Sequence, residues 1–373
     1  MATSCGFESH HRHHVRRSLL RSASPVCVRA GKAPHPQSPS SFPKRESHGR
    51  LPFRLWGTVW IRIFLFLVPR LCGFDVDEGR NMHFVNAKAI LTANGGHNGM
   101  NIYRGCTHGC IYCDSRSLCY QFRHPFEDIE VKQNAPALLE AALQSKRRRC
   151  MIGTGSMSDP YMHCEEQLRL TRRCLEIIRK HRFGAAVLTK SDRILQDIDL
   201  LDQINQTAKC VVQMTLTTYD DKLCQIVEPN VCGTRRRIEV LREMQCRGIP
   251  TVVWLTPILP FLNDTESNVK AILEACAETG VKGVVCFDMG LTLRQGNREY
   301  YYAALDRHFP GLKQEYIKRY GDAYHLQSPN AGTLMDLFHT ACAELGILHT
   351  PEDCFRYMNT FPEDDSQMSL FET

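Results

Sequence analysis

The 373-residue sequence predicts an α/β fold with a parallel sheet, on three observations. Six short apolar or β-branched runs recur between residues 100 and 290. Amphipathic stretches with helix start and stop signals separate them. A polar cluster then follows each run on its C-terminal side. Strands alternating with helices are the pattern of βαβ units, and their crossovers bring the loops after the strands to one rim.

Taken in order, the strand runs are "MNIY" (100–103), "CMIG" (150–153), "GAAVLTK" (184–190), "CVVQMTLTT" (210–218), "PTVVWLTP" (250–257) and "GVVCFDMG" (283–290). Continuous apolar runs of this length suit strands buried on both faces. Between them, "EEQLRLTRRCLEIIRKH" (165–181) places Leu168, Leu175 and Ile178 on one helical face with charges opposite. "RRRIEVLREMQCRG" (235–248) stops at Gly248, with Pro250 beyond it. "TESNVKAILEACAETG" (265–280) starts at a Thr cap and closes on Gly280. The loops predicted to share the rim are the cysteine-rich stretch after the first strand, then "GTGSMSDPY" (153–161), "TKSD" (189–192), "TTYDD" (217–221), "TPILPFLND" (256–264) and "MGLTLRQGNR" (289–298).

Composition is that of a globular chain, 43% hydrophobic and 23% charged. The net charge of +6 sits at the N-terminal end. Residues 1–80 hold 13 basic and 5 acidic residues, leaving 33 basic and 35 acidic in the rest. The main body therefore carries no overall basic field toward nucleic acid. Eighteen cysteines are scattered along predicted helices and strands, the pattern of reduced core residues in a cytoplasmic protein and not of a secreted disulfide scaffold. Residues 1–81 read as a low-complexity basic extension, either disordered or not natively translated, since "MHFVNAKAIL" from Met82 resembles the start of an ordinary soluble domain. The apolar stretch at 55–69 falls short of the ~20 residues of a membrane span and contains Arg62. The basic runs at 146–149 and 235–237 suit phosphate contacts and solvated helix ends equally.

"YRGCTHGCIYCDSR" (103–116) sets Cys106, Cys110 and Cys113 in C-x3-C-x2-C spacing. Thiolates suit zinc, copper(I) or iron–sulfur clusters. A structural zinc would need a fourth ligand, His108 or Cys119, and would make the chain a non-catalytic zinc-stabilised binding protein. A [4Fe–4S] cluster held by three cysteines keeps one iron open to a chelating ligand.

With an aromatic residue, Tyr112, before the last cysteine, this motif resembles that of the radical S-adenosylmethionine (SAM) superfamily. "NIYRGCTHGCIYCDSRS", "GTGSMSDPY", "TKSD", "EPNV" and "PILPFLNDTE" are similar to the spore photoproduct lyase-like branch, also described as DNA repair photolyase-like. The resemblance implies a partial (β/α)6 TIM-like barrel over residues 82–345, followed by a flexible tail at 346–373. It implies that Cys106, Cys110 and Cys113 ligate a [4Fe–4S] cluster and that the open iron takes the amino and carboxylate groups of S-adenosylmethionine. Reduction by a donor such as flavodoxin or ferredoxin then yields a 5′-deoxyadenosyl radical that abstracts hydrogen. Thr154, Ser156, Ser158 and Asp159 stand where the superfamily often has a Gly-Gly-Glu-like segment binding the methionyl amino group, although the glutamate is missing. Lys190 is placed to neutralise the cofactor carboxylate, with Asp192 as a helix cap beside it. Cys119 is a weak candidate for a hydrogen-returning thiol, and Arg116, Tyr219, Arg294 and Tyr301 are weak candidates for lining the cleft. The branch implies DNA repair, with RNA, a peptide or a small metabolite as the alternative substrates. At the far end, Gln367, Leu370 and Phe371 in "QMSLF" resemble the peptide by which bacterial repair proteins dock on the sliding clamp.

Overall fold

The computed structural model describes residues 82–94 and 97–362. The extension at 1–81, its apolar run, and the clamp-like peptide at Gln367, Leu370 and Phe371 lie outside the described residues. The early strands are β1 (Met82–Val85), β2 (Leu91–Asn94), β3 (His97–Met100), β4 (Tyr103–Arg104) and β5 (Ile129–Lys132). They are followed by β6 (Met151–Thr154), β7 (Gly184–Thr189), β8 (Cys210–Thr215), β9 (Thr251–Trp254), β10 (Gly283–Val285), β11 (Gly290–Thr292) and β12 (His325–Gln327). The helices are α1 (Ala135–Ser145), α2 (Glu165–Leu168), α3 (Leu170–Lys180), α4 (Ile198–Thr207), α5 (Asp221–Val227) and α6 (Thr234–Cys246). After them come α7 (Glu266–Glu278), α8 (Asn297–His308), α9 (Leu312–Tyr320), α10 (Ala331–Leu345) and α11 (Pro351–Asn359).

The main sheet runs β10-β9-β8-β7-β6-β3-β2. Its six strands from β3 to β10 are parallel and in sequence order, and β2 is an antiparallel edge. That is the strand set of a (β/α)6 partial barrel. Alternation sorts the side chains. Val187, Val212 and Val253 meet Leu139, Leu175, Ile178, Leu201, Leu241 and Ile272 of the helices. Ala186, Val211, Val252 and Val285 point to the other face. Every residue of β8 is buried, which is why its run reads as unbroken apolar sequence.

Four expectations need correction. The first strand of the main sheet is the polar "HNGM", not "MNIY". Its place is set by pairing with β6, while Tyr103 and Arg104 pair with β5 in a separate three-stranded sheet. The helix expected at 165–181 is broken at Arg169, which has φ +51°. The reason is Glu165, whose buried carboxylate turns back to accept the Thr171 N–H at 2.6 Å and so starts a second helix. The sixth run splits into β10 and β11, and β11 pairs with β12 instead of extending the main sheet. The fold also continues past 345. Cys354 and Met358 of α11 pack on Met151, Ala186, Val211, Val252 and Val285, so this helix covers the face opposite the others. The helix stops at Gly248 and Gly280 stand, both with φ above +60°.

Candidate functional site

Cys106, Cys110 and Cys113 line one pocket at the carboxyl ends of β6, β7 and β8, together with residues 155–159, Lys190 and Thr215. Their loop is held mostly by its neighbours. The Cys106 N–H donates to the Phe126 carbonyl at 3.2 Å, and the Ile111 N–H donates to that of Val227 at 3.0 Å. The Asn230 N–H donates to the His108 carbonyl at 3.1 Å, while its side-chain amide donates to the Thr107 carbonyl at 3.0 Å. A Cβ at Gly109 would meet that Asn230 amide at 2.9 Å. "EPNV" is therefore the brace of the cysteine loop, a role that its sequence alone does not reveal.

Glu228 anchors the brace. It is fully buried, accepts from the Tyr112 hydroxyl, and pairs with the equally buried Arg237 at 2.5 Å. Arg237 also donates to the carbonyls of Cys232 at 2.9 Å and Thr215 at 3.0 Å. Burial works against the Glu228 carboxylate, but Arg237 and then Lys190 outweigh it and hold its pKa below the ordinary value. The basic run at 235–237 is thus spent within the fold. Arg235 pairs with Asp221, Arg236 with Asp192 and Glu239, and Arg237 is no surface residue at all.

Burial pushes the Cys106 thiol up to about 12, with Asp159 adding to it, and lifts Cys110 well above its usual value. Thiols in this state need a bound cation to become thiolates, as a coordinated metal provides. Among the described residues no three of His, Cys, Asp and Glu converge closely enough to hold a single metal ion. Three thiols spread around one pocket suit the separate corners of a cluster better than one tetrahedral zinc. His108 lines the pocket and its Nε2 is buried without a hydrogen-bond partner, so a bound group would meet an unsatisfied polar atom. His108 is occupied on its other side, its Nδ1 lying 3.5 Å from Asp159. Burial lowers its pKa to about 4.

The other expected residues divide. The Lys190 side chain reaches the pocket, with Nζ 6.0 Å from the Tyr112 ring centroid. Burial disfavours its charge, but Cys110 and Glu228 outweigh that and hold its pKa above the usual value. Asp159 lines the pocket yet accepts from the Thr189 hydroxyl at 2.7 Å and from the N–H groups of Tyr161 and Lys190, both at 2.8 Å. It ties the loop after β6 to the end of β7, which leaves little of it for a ligand. Ser158 donates to the Tyr103 carbonyl at 2.8 Å, and Ser156 lies 3.4 Å from Asn101. Thr154 is on the opposite face of β6 and does not line the pocket. Gly155, overlooked in the sequence, has φ +97°, and a Cβ there would fall 2.1 Å from the Leu188 carbonyl oxygen. The helix cap near Lys190 is Ser191, not Asp192.

Cys119 lies outside the pocket, on an exposed corner 3.4 Å from Arg294. Arg116 is held by Glu127 at 2.7 Å and lies over the Tyr300 ring, and Tyr301 is buried with its hydroxyl 2.9 Å from that of Tyr316. The loops after β9 and β10 do not line this pocket. Asn263 from the first of them, with Asn268 of α7, fastens the Thr217 carbonyl instead.

The Radical SAM superfamily profile matches residues 100–276, which span the cysteine loop and the sheet from β3 to β9. That stretch is similar to the radical SAM superfamily. Proteins of that superfamily use a [4Fe–4S] cluster and S-adenosylmethionine. An uncharacterized protein of Mycobacterium tuberculosis is 28% identical over 227 residues, covering 59% of this chain and 66% of its own length. One of Methanocaldococcus jannaschii is 32% identical over 169 residues, 45% of this chain and 62% of its own. The chain thus spans just under two thirds of the length of these relatives. Among solved structures, spore photoproduct lyase complexed with dinucleoside spore photoproduct shares the fold, with a TM-score of 0.52 at 12% identity. The match covers 72% of this chain and 81% of that one.

Proposed function

We propose that the protein is a radical SAM enzyme that acts on nucleic acid, in the manner of spore photoproduct lyase. The observation that carries the reaction class is the meeting of three cysteine thiols and the Lys190 ammonium in one pocket at the strand ends. When bound, the cluster and S-adenosylmethionine supply one-electron cleavage of a sulfonium and, from it, removal of a hydrogen atom from substrate. The chain's own part is to hold and to position. Cys106, Cys110 and Cys113 would hold the cluster, and the bond network from Val227 to Asn230 keeps their loop in one shape. Lys190 offers a charge to the cofactor carboxylate. Gly155 lets the chain pass against β7 where a side chain would block it.

The nucleic-acid reading is supported by the likeness to spore photoproduct lyase in fold and by the clamp-like "QMSLF" sequence. The test uses protein reconstituted anaerobically and reduced with dithionite. Iron and sulfide near four each per chain, lost in Cys106→Ala, Cys110→Ala and Cys113→Ala, are the expected result. 5′-Deoxyadenosine release should rise with ultraviolet-irradiated DNA and not with matched RNA or peptide. Release stimulated equally by all three would remove the DNA assignment and leave the reaction class standing.

A further inference from the structure

We propose that a buried set of charges, Glu228, Arg237 and Lys190, fixes the reduction potential of the cluster that the cysteine loop holds. This rests on the radical-enzyme reading above and assigns the control of that same site to residues that do not ligate it. Glu228 acts from behind the loop. Its carboxylate accepts the hydroxyl of Tyr112, which stands between Cys110 and Cys113, and the neighbouring Val227 carbonyl accepts the Ile111 N–H at 3.0 Å. Lys190 lies over the same Tyr112 ring, with Nζ 6.0 Å from its centroid, and lines the pocket with the three cysteines. Arg237 pairs with Glu228 at 2.5 Å and donates at 3.0 Å to the carbonyl of Thr215, another residue of the pocket wall.

Hydrogen bonding alone does not call for these ions. A glutamine at 228 would also accept the Tyr112 hydroxyl, and an apolar side chain at 237 would fill the core without the desolvation of a guanidinium. What the ions add is charge placed where salt and water screen it least, since Glu228 and Arg237 are both 0% exposed. That charge is felt at a ligand sulfur. Burial lifts the Cys110 thiol, Lys190 opposes the rise and Glu228 adds to it.

The signs cancel. Lys190 and Arg237 are offset by Glu228 and by Asp159, the carboxylate on the pocket wall. Farther along the loop, Asp114 pairs with Arg294 and Arg116 with Glu127, so these add no net charge. Three thiolates therefore face surroundings with no net positive charge to offset them. An added electron brings one more negative charge, which such surroundings oppose, so the site favours the low potential of a strong one-electron donor. Glu228 decides this balance, because without its carboxylate the two cations would outnumber Asp159.

The experiment is a redox titration of reconstituted full-length protein, followed by electron paramagnetic resonance without S-adenosylmethionine. Glu228→Gln keeps the acceptor for Tyr112 and removes the charge. At an effective dielectric of about 20, a unit charge ~10 Å from another shifts an equilibrium about tenfold. The variant should therefore favour the reduced cluster about tenfold, a rise of about 59 mV for a one-electron couple. Lys190→Met should shift the potential about as far downward. Glu228→Gln with Arg237→Met carries no net change of charge and should return close to wild type, whereas a merely loosened loop would leave the double variant displaced as well. Glu239→Gln, at an exposed position, should not shift it. The proposal is overturned if Glu228→Gln keeps the wild-type potential, or if it and Lys190→Met move in the same direction. Should the Glu228 variant lose its iron, an unmoved potential in Lys190→Met overturns it alone. 5′-Deoxyadenosine release after adding S-adenosylmethionine is measured on the same samples. Opposite shifts without release would defeat the reaction class and spare this inference, and release with unmoved potentials would do the reverse. A wild-type protein that takes up no cluster would overturn both.

Discussion

Arg237→Met tests whether the cysteine loop depends on a buried ion pair two layers away from it. Arg237 and Glu228 are both fully buried, 2.5 Å apart, and Glu228 also receives the Tyr112 hydroxyl from between Cys110 and Cys113. Removing the guanidinium leaves a carboxylate in the core without its partner, which costs about 3–5 kcal/mol. For a folded region of this size each kcal/mol moves the midpoint by roughly 2–4 °C, so thermal unfolding of the variant should fall by about 6–20 °C. Glu228→Gln should cost a similar amount for the opposite reason. The double variant, Glu228→Gln with Arg237→Met, has no unpaired charge. It keeps only the loss of the Cys232 and Thr215 carbonyl partners, about 1–3 kcal/mol. The coupling between the two sites should thus be about 3 kcal/mol or more. Circular dichroism melts of the four proteins, with iron content after reconstitution, give the cycle. Additive single effects, or an Arg237→Met protein within about 1 kcal/mol of wild type, would refute the reasoning.

Three further outcomes follow from other sites. Burial raises the Glu165 carboxyl to about 7, so the folded state keeps a proton that the unfolded chain releases near the ordinary value of 4.5. This group's contribution is therefore present below about pH 4.5 and is lost as pH rises through about 7, a change of roughly 3 kcal/mol. Glu165→Gln should flatten the decline in stability between pH 5 and 8 in urea titrations, and an unchanged slope would count against the raised pKa. Gly155→Ala should lose most cluster incorporation, because its Cβ would fall 2.1 Å from the Leu188 oxygen at a φ of +97°; iron content close to wild type would contradict this. A peptide covering 362–373 should bind a bacterial sliding clamp weakly, and one with Leu370→Ala and Phe371→Ala should not. Equal binding of both peptides would remove the clamp reading.

The sequence by itself determined the cysteine motif and most of the sheet. C-x3-C-x2-C is local, so three thiols fall within eight residues whatever else the chain does. The buried strands β6 to β10 announce themselves as apolar runs because both faces are covered. The strand β3 was hidden because "HNGM" has no apolar pattern, and only pairing with β6 makes it a strand. Arg237 looked like a surface charge because burial is a property of what packs around a residue. Its partner Glu228 lies in another element, and nothing in "RRR" points to it. Lys190 could be read as a site residue from its place at a strand end, whereas Asp159 could not be told from one until its three donors were seen. The face shared by Ala186, Val211 and Val252 needed the register of three strands, and α11 across it needed the chain to return at Pro351. Local chemistry can be read along the chain because its residues are covalently close. What surrounds a residue depends on contacts between distant segments, and those exist only once the chain has folded.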